Sequence, residues 1–397
     1  MSGKKHAYVN DDYRRWQQTV VTVAGRSLVL VSKPGVFAHG SVDPSSLLLA
    51  QHVRAAAGAV VVCMNCGNGL LGSALAHSGA RVVVTDRNVL AVEAASRTLR
   101  ANGVDGVELH VGHGAAALRD FTADVVAIRI PQEKLALLQL LHDAFALLEN
   151  GGRIYIAGAT NEGAKSAART MEQIFGSAVT IATESGHRLV GATKHADLPA
   201  DDAPSSPYLD ANVFLEQTLE VRGNTSSFFS RPGVFSWDHL DEATAILAEH
   251  MDVRPDDRVL DLGCGYGVLG VVAGRITGAP VTMLDVDSEA VRSAARSAGA
   301  AGLGTARVLG SDIASAVLDE RFDLVITNPP FHVGKGTDLS VPIQFIADAF
   351  SVLAPGGRLN LVANRTLPYE GAIKYLFKNI TTVHDGRRFK VLSAVKA

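Results

Sequence analysis

A constant offset of 198 residues superimposes two parts of the 397-residue chain. Ser32, Pro34, Gly35, Val36 and Phe37 recur as Ser230, Pro232, Gly233, Val234 and Phe235. The same offset pairs Asp43 with Asp241, Leu49-Ala50 with Leu247-Ala248 and His52 with His250. It also pairs Cys66-Gly67-x-Gly69 with Cys264-Gly265-x-Gly267, and Leu71-Gly72 with Leu269-Gly270. So many identities in one register indicate an internal duplication, and a duplication means that reading either half constrains both. Between the copies, residues 196–208 are rich in Pro, Asp and Ser and carry no hydrophobic period, the composition of a linker. The expected organisation is a first domain over 1–200, a linker over 201–208 and a second domain over 209–397.

Within the second copy, short apolar runs alternate with helical patterns. Arg258-Val-Leu-Asp-Leu262 reads as a buried strand, Gly267 to Ile276 as a helix, Val281 to Asp285 as a strand and Ser288 to Ala298 as an Ala-rich helix that Ser288 can cap. Phe322 to Thr327 and Arg358 to Ala363 follow as strands on either side of an apolar helix over 343–353. Strands alternating with helices specify an α/β fold with a mostly parallel, doubly wound sheet, whose ligands lie at the carboxyl ends of the strands. Asp43 and Asp241 stand where N-caps belong, with Pro44 at the favoured first helical position, and are expected to be caps only.

Composition narrows the class. A chain with 47% hydrophobic and 19% charged residues is globular rather than disordered. Its most apolar stretch, Val259 to Gly274, is interrupted by Asp261 and glycines and falls short of a membrane span. The N-terminal residues run directly into charges with no apolar export signal, and three cysteines suit a reducing compartment, so a cytoplasmic location is expected. Cys63-Met-Asn-Cys66 has the spacing of half a metal site but no second pair of ligands, and no metal is expected. The net charge of −3 offers no global field for phosphate, so a nucleic-acid partner must be held by shape and local patches.

The glycine-rich turn of the second copy is Asp261-Leu-Gly263-Cys-Gly265-Tyr-Gly267. An acid two residues before the first glycine would repel a pyrophosphate and suits a cationic amino-acid ligand instead. This spacing resembles the first motif of the class I S-adenosylmethionine-dependent methyltransferases. The resemblance implies that Asp261, Gly263, Gly265 and Gly267 organise the loop around the methionine part of the cofactor. It further implies that Asp285, eighteen residues after Gly267, accepts bonds from the ribose hydroxyls, and that Asp312 stands against the adenine amino group.

At the end of the fourth strand comes Asn328-Pro329-Pro330-Phe331-His332. Two consecutive prolines force the chain out of the sheet in a stiff, defined shape. An exocyclic amine on a base is a poor nucleophile because its lone pair is delocalised into the ring. Accepting both of its N–H bonds draws that pair outward, and the Asn328 side-chain oxygen and the Pro329 carbonyl are candidates for the two acceptors, with Phe331 stacking on the base. Catalysis then consists of positioning and electrostatics without a strong general base. His332 and Lys335 lie beside this loop as candidate contacts to the base or a phosphate. Arg387-Arg388-x-Lys390 is a candidate basic patch for an RNA backbone.

The string Asn-Pro-Pro-Phe-His-x-Gly, the preceding Ser-x-Pro-Gly-Val-Phe and the tandem copies together resemble the bacterial ribosomal RNA guanine-N2 methyltransferases, the small-subunit enzyme and its large-subunit relative. The resemblance covers nearly the whole chain. It implies two Rossmann-like class I methyltransferase domains, S-adenosylmethionine as cofactor, and methyl transfer to the N2 amine of one guanosine in ribosomal RNA, 16S ahead of 23S. It also implies that only the second copy works. The residues of the first copy agree: Cys63 replaces Asp261, Asn65 replaces Gly263, and Ile128-Arg129-Ile130-Pro131 replaces Thr327-Asn328-Pro329-Pro330, although Asp86 survives near Asp285. Its expected jobs are to support the second domain and hold RNA, with Arg129 a candidate anion contact in a vacant cleft. Methylation of adenine N6 or of a protein glutamine, and a non-catalytic role in RNA binding or ribosome assembly, are the alternatives. A monomer and no membrane partner are expected.

Overall fold

The computed structural model describes residues 13–118, 121–330 and 339–397. The chain divides into two compact units, one of residues 16–213 and the other of 214–397 joined by 13–15. The expected linker is not free-standing. Ala203 and Leu209 pack on the first unit's core and the Pro204 carbonyl meets His142 Nε2 at 2.8 Å, so the boundary moves from 200–209 to 213/214.

Each unit contains the same seven-stranded sheet. In the second, the strands lie in the order Arg307–Gly310, Val281–Asp285, Val259–Leu262, Phe322–Thr327, Leu353–Asn364, Phe389–Val395 and Thr381–Asp385. The first four pairings are parallel and the last two antiparallel. In the first unit the order is Glu108–Val111, Arg81–Asp86, Val60–Met64, Ala123–Arg129, Leu148–Ala159, His187–Thr193 and Val179–Glu184. Helices cover both faces, which is why the central strands read as unbroken apolar runs: Leu260, Leu324, Val325 and Ile326 are fully buried, as are Val61, Val62 and Val83. A two-stranded hairpin precedes each sheet, Gln17–Val23 with Arg26–Ser32 and Leu215–Val221 with Asn224–Ser230.

The strand order reverses between Val259–Leu262 and Phe322–Thr327. At such a point the two crossovers leave on opposite faces and a crevice opens beyond the carboxyl ends. The glycine turn follows the first of these strands and Asn328 the second. The Thr327 hydroxyl donates to the Leu262 carbonyl at 2.7 Å and ties the two strand ends together. The helix after the second strand, Ser288–Ala300, is capped by Asp287, which accepts from the Glu289 N–H at 2.9 Å; Ser288 is its first residue rather than its cap.

Candidate active site

All three turn glycines adopt left-handed φ values, 76° at Gly263, 54° at Gly265 and 91° at Gly267, which L side chains resist. Space adds a second constraint at Gly267, where a Cβ would stand 3.1 Å from Ala294 on the helix Ser288–Ala300. Asp261 is fully buried beneath the turn. One carboxylate oxygen accepts from the Gly270 N–H at 2.7 Å, pinning the helix Val268–Thr277; the other is buried with no partner among the described residues. Asp285 accepts from the N–H groups of Gly265 at 2.8 Å and Asp287 at 3.0 Å. Burial, with a smaller contribution from Asp285, pushes Asp261 up to about 7; burial, then Asp287, pushes Asp285 up to about 6.

Across the crevice, the Asn328 side-chain nitrogen lies 3.1 Å from Asp241 Oδ2 and 3.0 Å from Thr244 Oγ1. A carboxylate only accepts, so the group facing Asp241 is the NH2, and the amide oxygen is turned the other way. Asp241 also caps the helix Glu242–His250 by accepting from the Thr244 N–H at 2.8 Å and its hydroxyl at 3.1 Å. Phe235, Asp241, Thr244, Gly263, Tyr266 and Asn328 line one pocket. Tyr266 is held by donating to the His239 carbonyl at 3.0 Å, and burial raises its pKa. Asp241, expected to be a cap alone, thus also holds the Asn328 amide. Thr244→Val should lower kcat several-fold at unchanged stability, while Asp241→Ala should lower kcat about tenfold and cost about 1 kcal/mol through the lost cap. Steady-state kinetics beside thermal unfolding checks this; equal kcat in all three proteins would remove Asp241 from the site.

Asp312 carries a partner the sequence did not announce. The Tyr13 phenol donates to its Oδ1 at 2.6 Å, and Arg14 pairs with the buried Asp348 at 2.5 Å. Tyr13 is 2% exposed, packed with the core of the second unit, and burial followed by Asp312 raises its pKa. The stretch near the chain's start therefore forms part of the wall on which Asp312 sits. Phe331, His332 and Lys335 lie outside the described residues. Pro329 is buried and Pro330 exposed at the strand's end. In the basic patch near the C-terminus, Arg387 and Arg388 are exposed, Arg388 pairing with Glu242, whereas Lys390 is 7% exposed and bonded to Glu370 and the Leu367 carbonyl.

The first copy keeps the turn and replaces residues around it. Asn65 takes the left-handed conformation of Gly263, with φ 57°, which asparagine tolerates. Asp86 accepts from the Gly67 N–H at 2.9 Å as Asp285 does from that of Gly265. Arg129 contradicts the expectation that it is an anion contact in a vacant cleft. It is 9% exposed rather than a surface charge, and Asp43 at 3.5 Å and Glu162 at 3.1 Å neutralise it rather than leave it for an outside anion. Its guanidinium lies 4.4 Å from the Phe37 ring centroid, and its carbonyl accepts from Asn65 Nδ2 at 2.8 Å. Among the described residues, no group of three or more His, Cys, Asp or Glu side chains is placed to hold a metal.

The sequence model of the methyltransferase small domain matches the chain twice, over residues 27–190 and 225–393. The chain belongs to the methyltransferase small domain family. Its similar relatives within this family include the ribosomal RNA small subunit methyltransferase C of Hahella chejuensis, 34% identical over 276 residues, with 69% of this chain and 78% of the relative covered. The ribosomal RNA large subunit methyltransferase G of Streptomyces avermitilis is 32% identical over 363 residues, with 89% and 92% covered. A solved structure of the T. thermophilus 16S rRNA N2 G1207 methyltransferase in complex with AdoMet and guanosine matches with a TM-score of 0.80 at 29% identity, covering 97% of this chain and 99% of that one. Both copies thus carry the fold of this family, including the copy whose site residues have been replaced.

Proposed function

We propose that this chain is an S-adenosylmethionine-dependent methyltransferase that methylates the exocyclic N2 amine of a guanosine in ribosomal RNA, 16S ahead of 23S, and that it works as a cytoplasmic monomer through its second copy. The observation that carries the reading is the Asn328 amide, locked by Asp241 and Thr244 with its oxygen facing away from them, beside a glycine turn built over buried acids. The names and titles of the relatives above, small-subunit, large-subunit and N2-guanine enzymes, support the acceptor class. Among the described residues, no helix is long and apolar enough to cross a membrane. The duplication supplies a second domain within one chain, which favours a monomer.

The residues present suit the cofactor. The unpartnered buried oxygen of Asp261 and the carboxylate of Asp285 supply negative charge beneath the turn, which attracts a cationic amino-acid head and repels a pyrophosphate. Asp312 lies at the far end of the same strand edge. When bound, S-adenosylmethionine supplies an electrophilic methyl group. The protein does the rest by orientation: the Asn328 oxygen and the Pro329 carbonyl accept the two N–H bonds of the amine. Their pull localises its lone pair as the nitrogen passes from planar towards tetrahedral, and the surplus proton leaves to water. The direct test is transfer of tritium from labelled S-adenosylmethionine to 16S and 23S RNA, 30S and 50S particles and total protein, followed by nucleoside analysis. N2-methylguanosine from a ribosomal pool is the expected product; N6-methyladenosine, label in protein, or binding without transfer would each overturn it.

The acids also set a pH dependence. Carboxyl groups raised in the folded state stabilise the fold fully below about pH 4, and that contribution is lost as pH rises through about 6 and 7, where both ionise. A cationic ligand acts in the opposite sense, because it favours the ionised pair. The dissociation constant for S-adenosylmethionine should therefore fall between pH 5.5 and pH 8, with protons released on binding. Calorimetry in buffers of differing ionisation heat measures both, and an affinity flat across that range would contradict the assignment.

A further inference from the structure

Phe235 is 58% exposed on the rim of the pocket that contains Asn328. Its counterpart in the other copy, Phe37, is 48% exposed, yet its ring lies against the guanidinium of Arg129 at 4.4 Å. Arg129 and Asn328 occupy the same place at the end of the fourth strand. In both copies the side chain there reaches the aspartate that caps the preceding helix, Asp43 at 3.5 Å and Asp241 at 3.1 Å. Arginine is the longer side chain, so its planar head continues past the capping aspartate to the phenylalanine. Asparagine stops short, and in the second copy the corresponding space is the pocket lined by Phe235, Asp241 and Asn328. The first copy holds by covalent attachment a planar nitrogen group where the second leaves room for one.

From this we infer that Phe235 is the platform on which the target base stacks while Asn328 accepts its amine. The chemistry of the plug bears on which base. Guanine carries a guanidine unit, C2 bonded to N1, N2 and N3, whereas the amine-bearing carbon of adenine carries only two nitrogens. A site whose duplicate is filled by a guanidinium is shaped for the N2 edge of guanine. The inference rests on the reading of Asn328 as amine acceptor and adds a residue to it.

The test compares full-length wild type, Phe235→Ala and Phe235→Trp for methyl transfer to the ribosomal pool that accepts label, with S-adenosylhomocysteine binding measured by calorimetry in each. Stacking on one aromatic ring predicts that Phe235→Ala raises KM for the acceptor about tenfold or more, with S-adenosylhomocysteine affinity unchanged, and that Phe235→Trp stays within about threefold of wild type. Unchanged kinetics in Phe235→Ala would overturn the inference. So would Phe235→Trp failing as badly as Phe235→Ala, because Phe235 would then be wall rather than platform. Label appearing in wild type as N6-methyladenosine or in protein refutes the guanine reading separately, and the same variants then score the platform on that acceptor. No label in any pool with wild type refutes both.

Discussion

Asn328→Ala should abolish most methyl transfer while leaving cofactor binding intact. In the proposed mechanism the variant removes one of two oxygens that draw out the amine's lone pair, and the loss of one preorganised partner of a developing charge costs about 10²- to 10³-fold in kcat. The damage is confined to that step. Asn328 contributes no bond to the glycine turn, and its partners Asp241 and Thr244 still hold each other at the helix cap. Asn328→Asp sharpens the test, since a carboxylate there would face Asp241 with like charge and lose the lock that aims the oxygen. The measurement is single-turnover transfer beside calorimetric binding of S-adenosylhomocysteine. A loss of binding equal to the loss of rate, or a rate within a few-fold of wild type, would show that Asn328 does not act on the amine.

Arg129→Ala should be the most destabilising of the changes considered, and its effect belongs to the first copy. Asp43 is 8% exposed, so deleting the guanidinium leaves its carboxylate without a countercharge in a poorly hydrated place, and the half-buried Glu162 loses the same partner. Breaking a buried pair by removing one partner costs about 3 kcal/mol or more. Part of the cavity also opens against Phe37, which loses the cation above its ring. The two tryptophans report the two units separately, Trp16 in one and Trp237 in the other. In a Trp237→Phe background, Trp16 fluorescence should show a urea midpoint lower by about 1 M for Arg129→Ala, given a slope of about 3 kcal/mol per M for a unit this size. A midpoint that does not move would mean that the buried Asp43 carboxylate is satisfied by other means.

Much of this was legible because the chain was copied. The constant offset paired Phe37 with Phe235 and Asp43 with Asp241 before any coordinates, and the apolar runs of the second copy marked strands of its sheet. The glycine turn and the Asn-Pro-Pro exit were readable because left-handed φ and ring-locked φ each demand particular residues. What stayed hidden were contacts between parts far apart in sequence. Asp241 accepts from an amide 87 residues on, and no local pattern distinguishes a capping aspartate from one that also orients a side chain. Arg129 looked like a cation awaiting a ligand because Glu162, on another element, gives no sequence signal of where it points. The hairpin at Gln17–Val23 and Arg26–Ser32 went unread, since its exposed strand faces alternate too weakly to separate from loop. The linker composition of 201–208 was real, but a proline-rich segment still packs through Ala203 within it and Leu209 just after it.

Tyr13 lies 299 residues before Asp312, its bonding partner. At the roughly 5 to 20 residues per second of synthesis, about 15 to 60 seconds separate the emergence of the phenol from that of the carboxylate it meets. Residues 16–213 are complete and able to fold within that interval, while the segment before them has nothing to bury its aromatic ring. The second unit then closes only when residues from both sides of the first unit in the chain are present. A ribosome that stops between the first unit and Asp312 releases a chain whose Tyr13 phenol has no carboxylate to meet.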